Sequence, residues 1–239
     1  MPRMNRSFGT CNMSVLFDDK IAAVYDAWAE TAQGRRAYEL EGELIVRLGR
    51  LASGHRILEV GCGTGIHLEM LRRQGPHVLG VDVSPHMLRL AHSRLGKRTQ
   101  LCLGEAENLP FRDKSFDSVA LITTLEFISN PREAIQEAVR VSRRGVLLGV
   151  LNSYSLPGVI RRINGRFRQT IYNRARFYSI WQLKRLIAKV TPEATVDWAS
   201  VLVLPISWQS HFPKLERWLS FRKNPLGAFL GLAVLITED

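Results

Sequence analysis

The chain of 239 residues is short of cysteine, of long apolar runs and, over one long stretch, of acid. Cys11, Cys62 and Cys102 are odd in number and widely spaced, with no C-x-x-C pair and no histidine cluster behind them. That pattern suggests neither a disulfide framework nor a zinc site, and it fits a reducing cytoplasm. No metal is expected. Arg3 and Arg6 are not followed by an apolar segment, so no secretory leader is expected, and the longest apolar stretch, 226–236, is too short and glycine-interrupted to span a bilayer. The expected location is cytoplasmic, with peripheral contact to a membrane as the route to any lipid.

Between Ala138 and Pro192 there is no Asp or Glu, while twelve basic residues occur: Arg140, Arg143, Arg144, Arg161, Arg162, Arg166, Arg168, Arg174, Arg176, Lys184, Arg185 and Lys189. With a net charge of +11, this one segment supplies essentially the whole excess. It reads either as a solvated charged face or as a site for an anionic partner such as lipid headgroups, nucleic acid or an acidic substrate. Usage is otherwise that of one globular domain, with 46% hydrophobic and 23% charged residues.

Hydrophobic period and turn residues supply the organisation. Helical spacing covers 16–31 and 36–51, the second carrying Leu40, Leu44, Ile45, Leu48 and Leu51 and ending at Ser53-Gly54. Short apolar strands are expected at 56–60, 77–81, 99–103, 116–122 and 145–151, with helices between them at 66–74, 85–95 and 131–141. Pro85 and Pro131 suit first helical turns, with Ser84 and Asn130 as caps. The basic stretch from 152 to 178 breaks the rhythm and reads as an inserted cap; a helix at 179–189 and strands at 195–204 and 227–237 follow. The expectation is an α/β, Rossmann-like, doubly wound and mostly parallel seven-stranded sheet with an antiparallel C-terminal strand. Its parts would be a helical N-terminal cap (1–52), a cofactor-binding core (53–151), the basic insertion (152–178) and a C-terminal helix and strands completing the sheet (179–239).

The run Ile57-Leu58-Glu59-Val60-Gly61-Cys62-Gly63-Thr64-Gly65 carries a strand into a glycine loop and then a helix. Glycines there let the backbone turn and approach a ligand, and the helix N–H groups face it, so a nucleotide-like ligand is expected. A dinucleotide fingerprint needs its third glycine where Ile66 stands, so the match to that class is poor. The form with an acid two before the first glycine and then G-x-G-x-G resembles the first motif of class I S-adenosylmethionine-dependent methyltransferases, the "type 11" and quinone-biosynthesis group in particular.

The resemblance runs from Val24 to Leu151 and implies S-adenosyl-L-methionine as cofactor. It places Glu59, Gly61, Cys62, Gly63 and Gly65 along the methionine part. Asp82, at the end of the second strand, would accept from the ribose hydroxyls, the alternative being a cap on the next helix. Val83 and Met87 would touch adenine, Glu105 and the Ala106 N–H would read its edge, and Thr123 would make a backbone contact. Tyr25, in the Tyr25-Asp26-Ala27-Trp28 element, would help to cover the cofactor. The turn 141–145 departs from the family's L-K-P-G-G and keeps only its last glycine.

Chemistry of this kind is an in-line methyl transfer in an aligned, dry pocket. No catalytic residue is declared; His67, Glu126 and Tyr178 are imaginable bases, each with an ordinary structural role as its alternative. The acceptor is expected to be a small or lipid-like, quinol-like molecule held by the N-terminal helices, residues 152–178 and the Trp-rich stretch 198–221. RNA bound through the 140–189 arginines, or a non-catalytic regulatory protein that keeps the cofactor, are the other readings, nucleic acid ranking below a small molecule.

Overall fold

The structure is a computed structural model that describes residues 19–155, 175–209 and 211–236. Arg161, Arg162, Arg166, Arg168, Arg174 and the rest of 156–174, the greater part of the expected 152–178 cap, lie outside these residues, as do Cys11 and the start expected for the first helix.

Helices α1 (Asp19–Glu30) and α2 (Ala32–Gly49) lead into an alternating series: β1 (Arg56–Val60), α3 (Ile66–Arg73), β2 (His77–Asp82), α4 (Pro85–Leu95), β3 (Gln100–Leu103), β4 (Phe116–Ile122), α5 (Pro131–Val141) and β5 (Ser142–Leu151). Then come α6 (Ile180–Ala188), β6 (Thr195–Val201), α7 (Ile206–Gln209), α8 (Pro213–Leu219) and β7 (Phe229–Leu235). One seven-stranded sheet has the order β3-β2-β1-β4-β5-β7-β6. The first five strands are parallel, and β7 runs antiparallel to both of its neighbours.

Strands buried on both faces send alternate residues to opposite layers. Leu58, Val119, Leu121 and Leu148 meet α5 and α6 on one side, where Ala134, Ile135, Ala138, Leu183 and Ile187 are buried. Ile57, Ala120, Ile122 and Leu147 meet Ala37, Leu40, Leu44 and Ile45 of α2 on the other.

Local signals explain the boundaries that match and those that do not. Ser84 caps α4 by accepting from the Met87 N–H, whereas Asn130 stands at the α5 N-cap position without a side-chain cap bond. Helix α2 stops at Gly49, before Ser53-Gly54, because Arg50 takes a left-handed conformation (φ 45°). Strand β6 stops at Val201 because Leu202 does the same (φ 61°). Strand β5 begins at Ser142 and not at Gly145; Ser142 pairs with Phe116 across an irregularity in the register. Helices α7 and α8 fall in the Trp-rich stretch between the last two strands, where no helix was expected.

Candidate active site

The carboxyl ends of β1, β2 and β4, with the loop after β3, surround a cavity of about 420 Å³, a size ordinary for a small-molecule site. Gly61, Gly63 and Gly65 all have positive φ. At Gly61 the need is double, since a Cβ there would also run into the Thr124 side chain, whose Oγ1 donates to the Val60 carbonyl (3.1 Å). Gly65 begins α3 and packs against Leu95 and Ala91 of α4.

Of the twelve cofactor-site candidates, Tyr25, Glu59, Gly61, Cys62, Gly63, Asp82, Val83, Met87, Glu105, Ala106 and Thr123 line this one cavity and Gly65 does not. Asp82 ties two loops together: its Oδ2 accepts from the Gly63 N–H and its Oδ1 from the Ser84 N–H, each at 2.8 Å. Helix α4 is capped by Ser84, so the capping alternative for Asp82 falls away. Burial raises the Asp82 pKa above the ordinary aspartate value, and the two backbone N–H groups pull it back. Glu59 is more extreme. It is 1% exposed, its Oε2 is buried with no hydrogen-bond partner, and burial, followed by the charge of Asp82, pushes its pKa well up. Burial, with Asp82 and Glu59 adding, does the same to the Cys62 thiol, which disfavours a reactive thiolate. Thr123 stands at the end of β4 in a left-handed conformation (φ 49°), uncommon for a β-branched residue and the kind of strain that gathers at functional sites. The bond from its N–H to the Gly149 carbonyl (2.7 Å) holds it there.

Of the three imaginable bases only His67 lines the cavity wall, and its neighbour Tyr38 carried no readable sequence signal. His67 and Tyr38 face each other edge to face at 5.0 Å, and His67 Nε2 lies 3.3 Å from Glu41 Oε2, with both side chains buried. Glu107 lines the wall and accepts from the Asn130 N–H (3.4 Å). Arg94 donates to the Thr64 carbonyl (3.0 Å) and to Asp26 (2.8 Å), which latches α1, and Tyr25 with it, over the glycine loop.

The other expectations divide. Glu126 is buried behind the wall, where its Oε1 accepts from the Leu151 N–H (2.6 Å), and burial raises its pKa to about 8. Tyr178 donates to the Leu125 carbonyl (3.1 Å); neither residue lines the cavity. None of Trp198, Trp208, Trp218 or Phe221 lines it either, so the Trp-rich stretch is not part of this wall. The basic run is not a single surface. Arg140 is committed to Glu137, Asp113 and the Phe111 and Leu109 carbonyls, pinning the loop after β3. Arg143 donates to the Lys114 carbonyl, and Arg144 pairs with His55. Among the described residues no cluster of His, Cys, Asp and Glu is arranged for a metal ion.

A family model described as "Methyltransferase domain" matches residues 58–150. A demethylmenaquinone methyltransferase of Tropheryma whipplei is 30% identical over 197 residues, covering 77% of this chain and 76% of that protein. The chain belongs to the class I S-adenosylmethionine-dependent methyltransferases. This methyltransferase is also 34% identical to an uncharacterized protein of Methanocaldococcus jannaschii over 59% of its own length and 63% of that protein's. Among solved structures, a SAM-dependent methyltransferase of Thermotoga maritima matches with a TM-score of 0.73 at 25% identity, over 93% of the methyltransferase described here and 99% of that chain.

Proposed function

We propose that the cavity binds S-adenosyl-L-methionine and presents its methyl group to a small, apolar, quinol-like acceptor. One observation carries the first part: two buried carboxylates, Glu59 and Asp82, line the cavity, and Glu59 Oε2 has no partner. Buried unpaired charge is costly, and a ligand bearing cationic groups offsets that cost. The cofactor supplies an electrophilic sulfonium methyl and an ammonium group. Glu59 would take the ammonium end, and Asp82, whose carboxylate oxygens keep spare lone pairs, the ribose hydroxyls. Glu105 and the Ala106 N–H would meet the adenine edge, with Val83 and Met87 against the ring. Thr123, Gly61, Cys62 and Gly63 would shape the methionine end.

The quinol-like acceptor is supported by the demethylmenaquinone methyltransferase relative and by the apolar part of the wall, which Tyr25, Tyr38, Phe127 and Ile128 supply. An acceptor hydroxyl or activated carbon must lose a proton as it attacks. With Nε2 turned to the Glu41 carboxylate, His67 keeps a lone pair on Nδ1, and we assign it that proton.

Calorimetric titration tests the cofactor. The wild type should bind S-adenosylmethionine, and Glu59→Gln should bind about tenfold more weakly, the range of a lost charged hydrogen bond. Silence with this ligand, or preference for a dinucleotide, would overturn the reading. Methyl-labelled cofactor offered with a naphthoquinol and a short RNA tests the acceptor, since label passing to RNA instead would sink the quinol-like assignment. With that quinol, His67→Gln should lower kcat about a hundredfold while KM moves little.

A further inference from the structure

We infer that the methyltransferase docks on an anionic lipid surface through the connection between β6 and β7, a site separate from the cavity and independent of what the cavity binds. The connection is built inside out. Leu202 and Ala228 at its two ends belong to the core, but between them the buried side chains are polar: Gln209, Glu216 and Ser220. Glu216 accepts from the Val203 N–H (3.1 Å), the Leu204 N–H (2.8 Å) and the Ser220 hydroxyl (2.5 Å), so an internal carboxylate network fastens α8 to the body. Large apolar side chains on α7 and α8 point away: Trp208 is 57%, Phe212 53% and Trp218 59% exposed, and Leu215 is exposed beside them, while Phe221 packs back on the core. A helix normally turns its apolar stripe toward the core, and the reverse marks a surface that meets another apolar phase.

Charge selects the occupant. From residue 206 to 227 the only acid is Glu216, which is internal, against Lys214, Arg217, Arg222 and Lys223. Lys223 pairs with Asp197 (3.0 Å), and Arg222 lies over the Trp218 ring (5.0 Å). Lys214, Arg217 and Arg222 have no carboxylate partner among the described residues. Outward Trp, Phe and Leu flanked by Lys and Arg are the composition of elements that lie in a lipid interface, with rings at headgroup depth and cations on anionic headgroups.

Topology adds an independent reason. Leu151 and Val201 both pair with Phe229, so β5 and β6 end, and β7 begins, on the edge of the sheet that also carries the cavity. Tyr154 and Trp181 are also exposed, stack edge to face at 5.6 Å and leave from the same edge. Asn152 binds the Pro225 and Gly227 carbonyls (2.6 and 2.7 Å), holding the two connections together. A molecule resting on this face would turn its cavity edge to the bilayer. No helix among the described residues is long and apolar enough to cross a membrane, so the contact is interfacial.

The test is sedimentation of the full chain with vesicles of phosphatidylcholine alone and of equal parts phosphatidylcholine and phosphatidylglycerol. Binding is expected only to the anionic vesicles, with a blue shift in tryptophan emission and loss on raising salt. The variant carrying Trp208→Ser, Phe212→Ser and Trp218→Ser should bind at least about tenfold more weakly, and Lys214→Gln with Arg217→Gln should cost about fivefold per cation removed. All these side chains are exposed, so circular dichroism and S-adenosylmethionine affinity should stay at wild-type values and separate this inference from the cofactor assignment. Unchanged vesicle binding by the aromatic variant would overturn the inference. So would no vesicle binding by the wild type together with a concentration-dependent dimer that the aromatic variant abolishes, which would assign the face to a second copy of the chain.

Discussion

Two neighbouring parts of the sheet's carboxyl edge handle polarity in opposite ways. Over β1, β2 and β4 the loops are short, their backbone is fixed by positive φ at Gly61, Gly63 and Thr123, and carboxylates turn inward to a cavity. Over β5 and β6 the connections are longer, bury Asn152 and Glu216 as fasteners, and leave aromatics outside. Strand ends alone therefore do not decide what a loop does. A pocket needs polar groups whose satisfaction is deferred to a ligand, as at Glu59, whereas a docking face needs its polar groups satisfied internally, as at Glu216.

Glu126 sits where the two parts meet, in the loop after β4 and bonded to the end of β5, and removing its charge should break their balance most visibly. Its pKa is raised from 4.5 to about 8 by burial. Below the unfolded value both states hold the proton; between the two values the unfolded chain releases it while the folded one keeps it, so stability falls as pH rises through this window and levels off above it. The shift corresponds to about 5 kcal/mol. Glu126→Gln, which keeps an acceptor for the Leu151 N–H, should match the wild type near pH 5 and be the more stable protein near pH 8. Denaturant titrations at both pH values measure it, and parallel curves for the two proteins would refute it.

On the cavity side the largest single loss should come from Asp82→Asn. The substitution sets an amide N–H2 against one of two backbone N–H donors and removes the negative charge. Cofactor affinity should drop about a hundredfold, or about 3 kcal/mol, since hydrogen bonds to a charged group are worth about 1.5–3 kcal/mol each. In the wild type, affinity should weaken as pH falls, because a cationic ligand needs the ionised forms of Glu59 and Asp82, whose raised pKa values favour the proton. Calorimetry over a pH series follows both effects, and affinity independent of pH would remove the carboxylates from the explanation.

Gly61 and Gly54 sharpen the comparison between a ligand loop and an ordinary turn. Both have positive φ, at 70° and 82°, but a Cβ at 54 meets nothing whereas one at 61 strikes Thr124. Gly54→Ala should cost about 1 kcal/mol from left-handed strain alone. Gly61→Ala should cost about 2 kcal/mol more through overpacking and should weaken cofactor binding, which the other change leaves alone. Equal costs in denaturant unfolding would mean that Thr124 gives way.

How much of this was legible in sequence depended on how local the cause was. Pro85 and Pro131 mark the starts of α4 and α5, and the alternation of short apolar strands with amphipathic helices announced the sheet. The glycine loop and Asp82 were legible because backbone conformation and a strand-end carboxylate leave a linear pattern. Tyr38 and Glu41 left none and His67 was read only as an imaginable base, since their meeting is made by α2 packing over α3 and lone residues of these types usually serve packing. The twelve-cation run looked uniform, yet Arg140 is consumed by Glu137 and two carbonyls, a pairing that only the fold arranges. Helix α8 was missed because its apolar residues serve the outside, so its pattern does not read as a core-facing stripe.

The smallest expected effect concerns how firmly the cavity is roofed. Arg94 joins Thr64 of the glycine loop to Asp26 of α1, and the ion pair is partly exposed. Pairs of this kind contribute under about 1 kcal/mol to stability, so Arg94→Gln should leave the unfolding midpoint nearly unchanged. Its consequence should appear locally: faster amide hydrogen exchange in α1 and a three- to fivefold loss of cofactor affinity, of the order of the same 1 kcal/mol, as Tyr25 loses its latch. Asp26→Asn should reproduce that loss, and the double variant should lose no more than either single one, because both remove the same contact. Additive losses would show that Arg94 acts through the Thr64 carbonyl alone and that α1 is held over the cavity by its packing on α2.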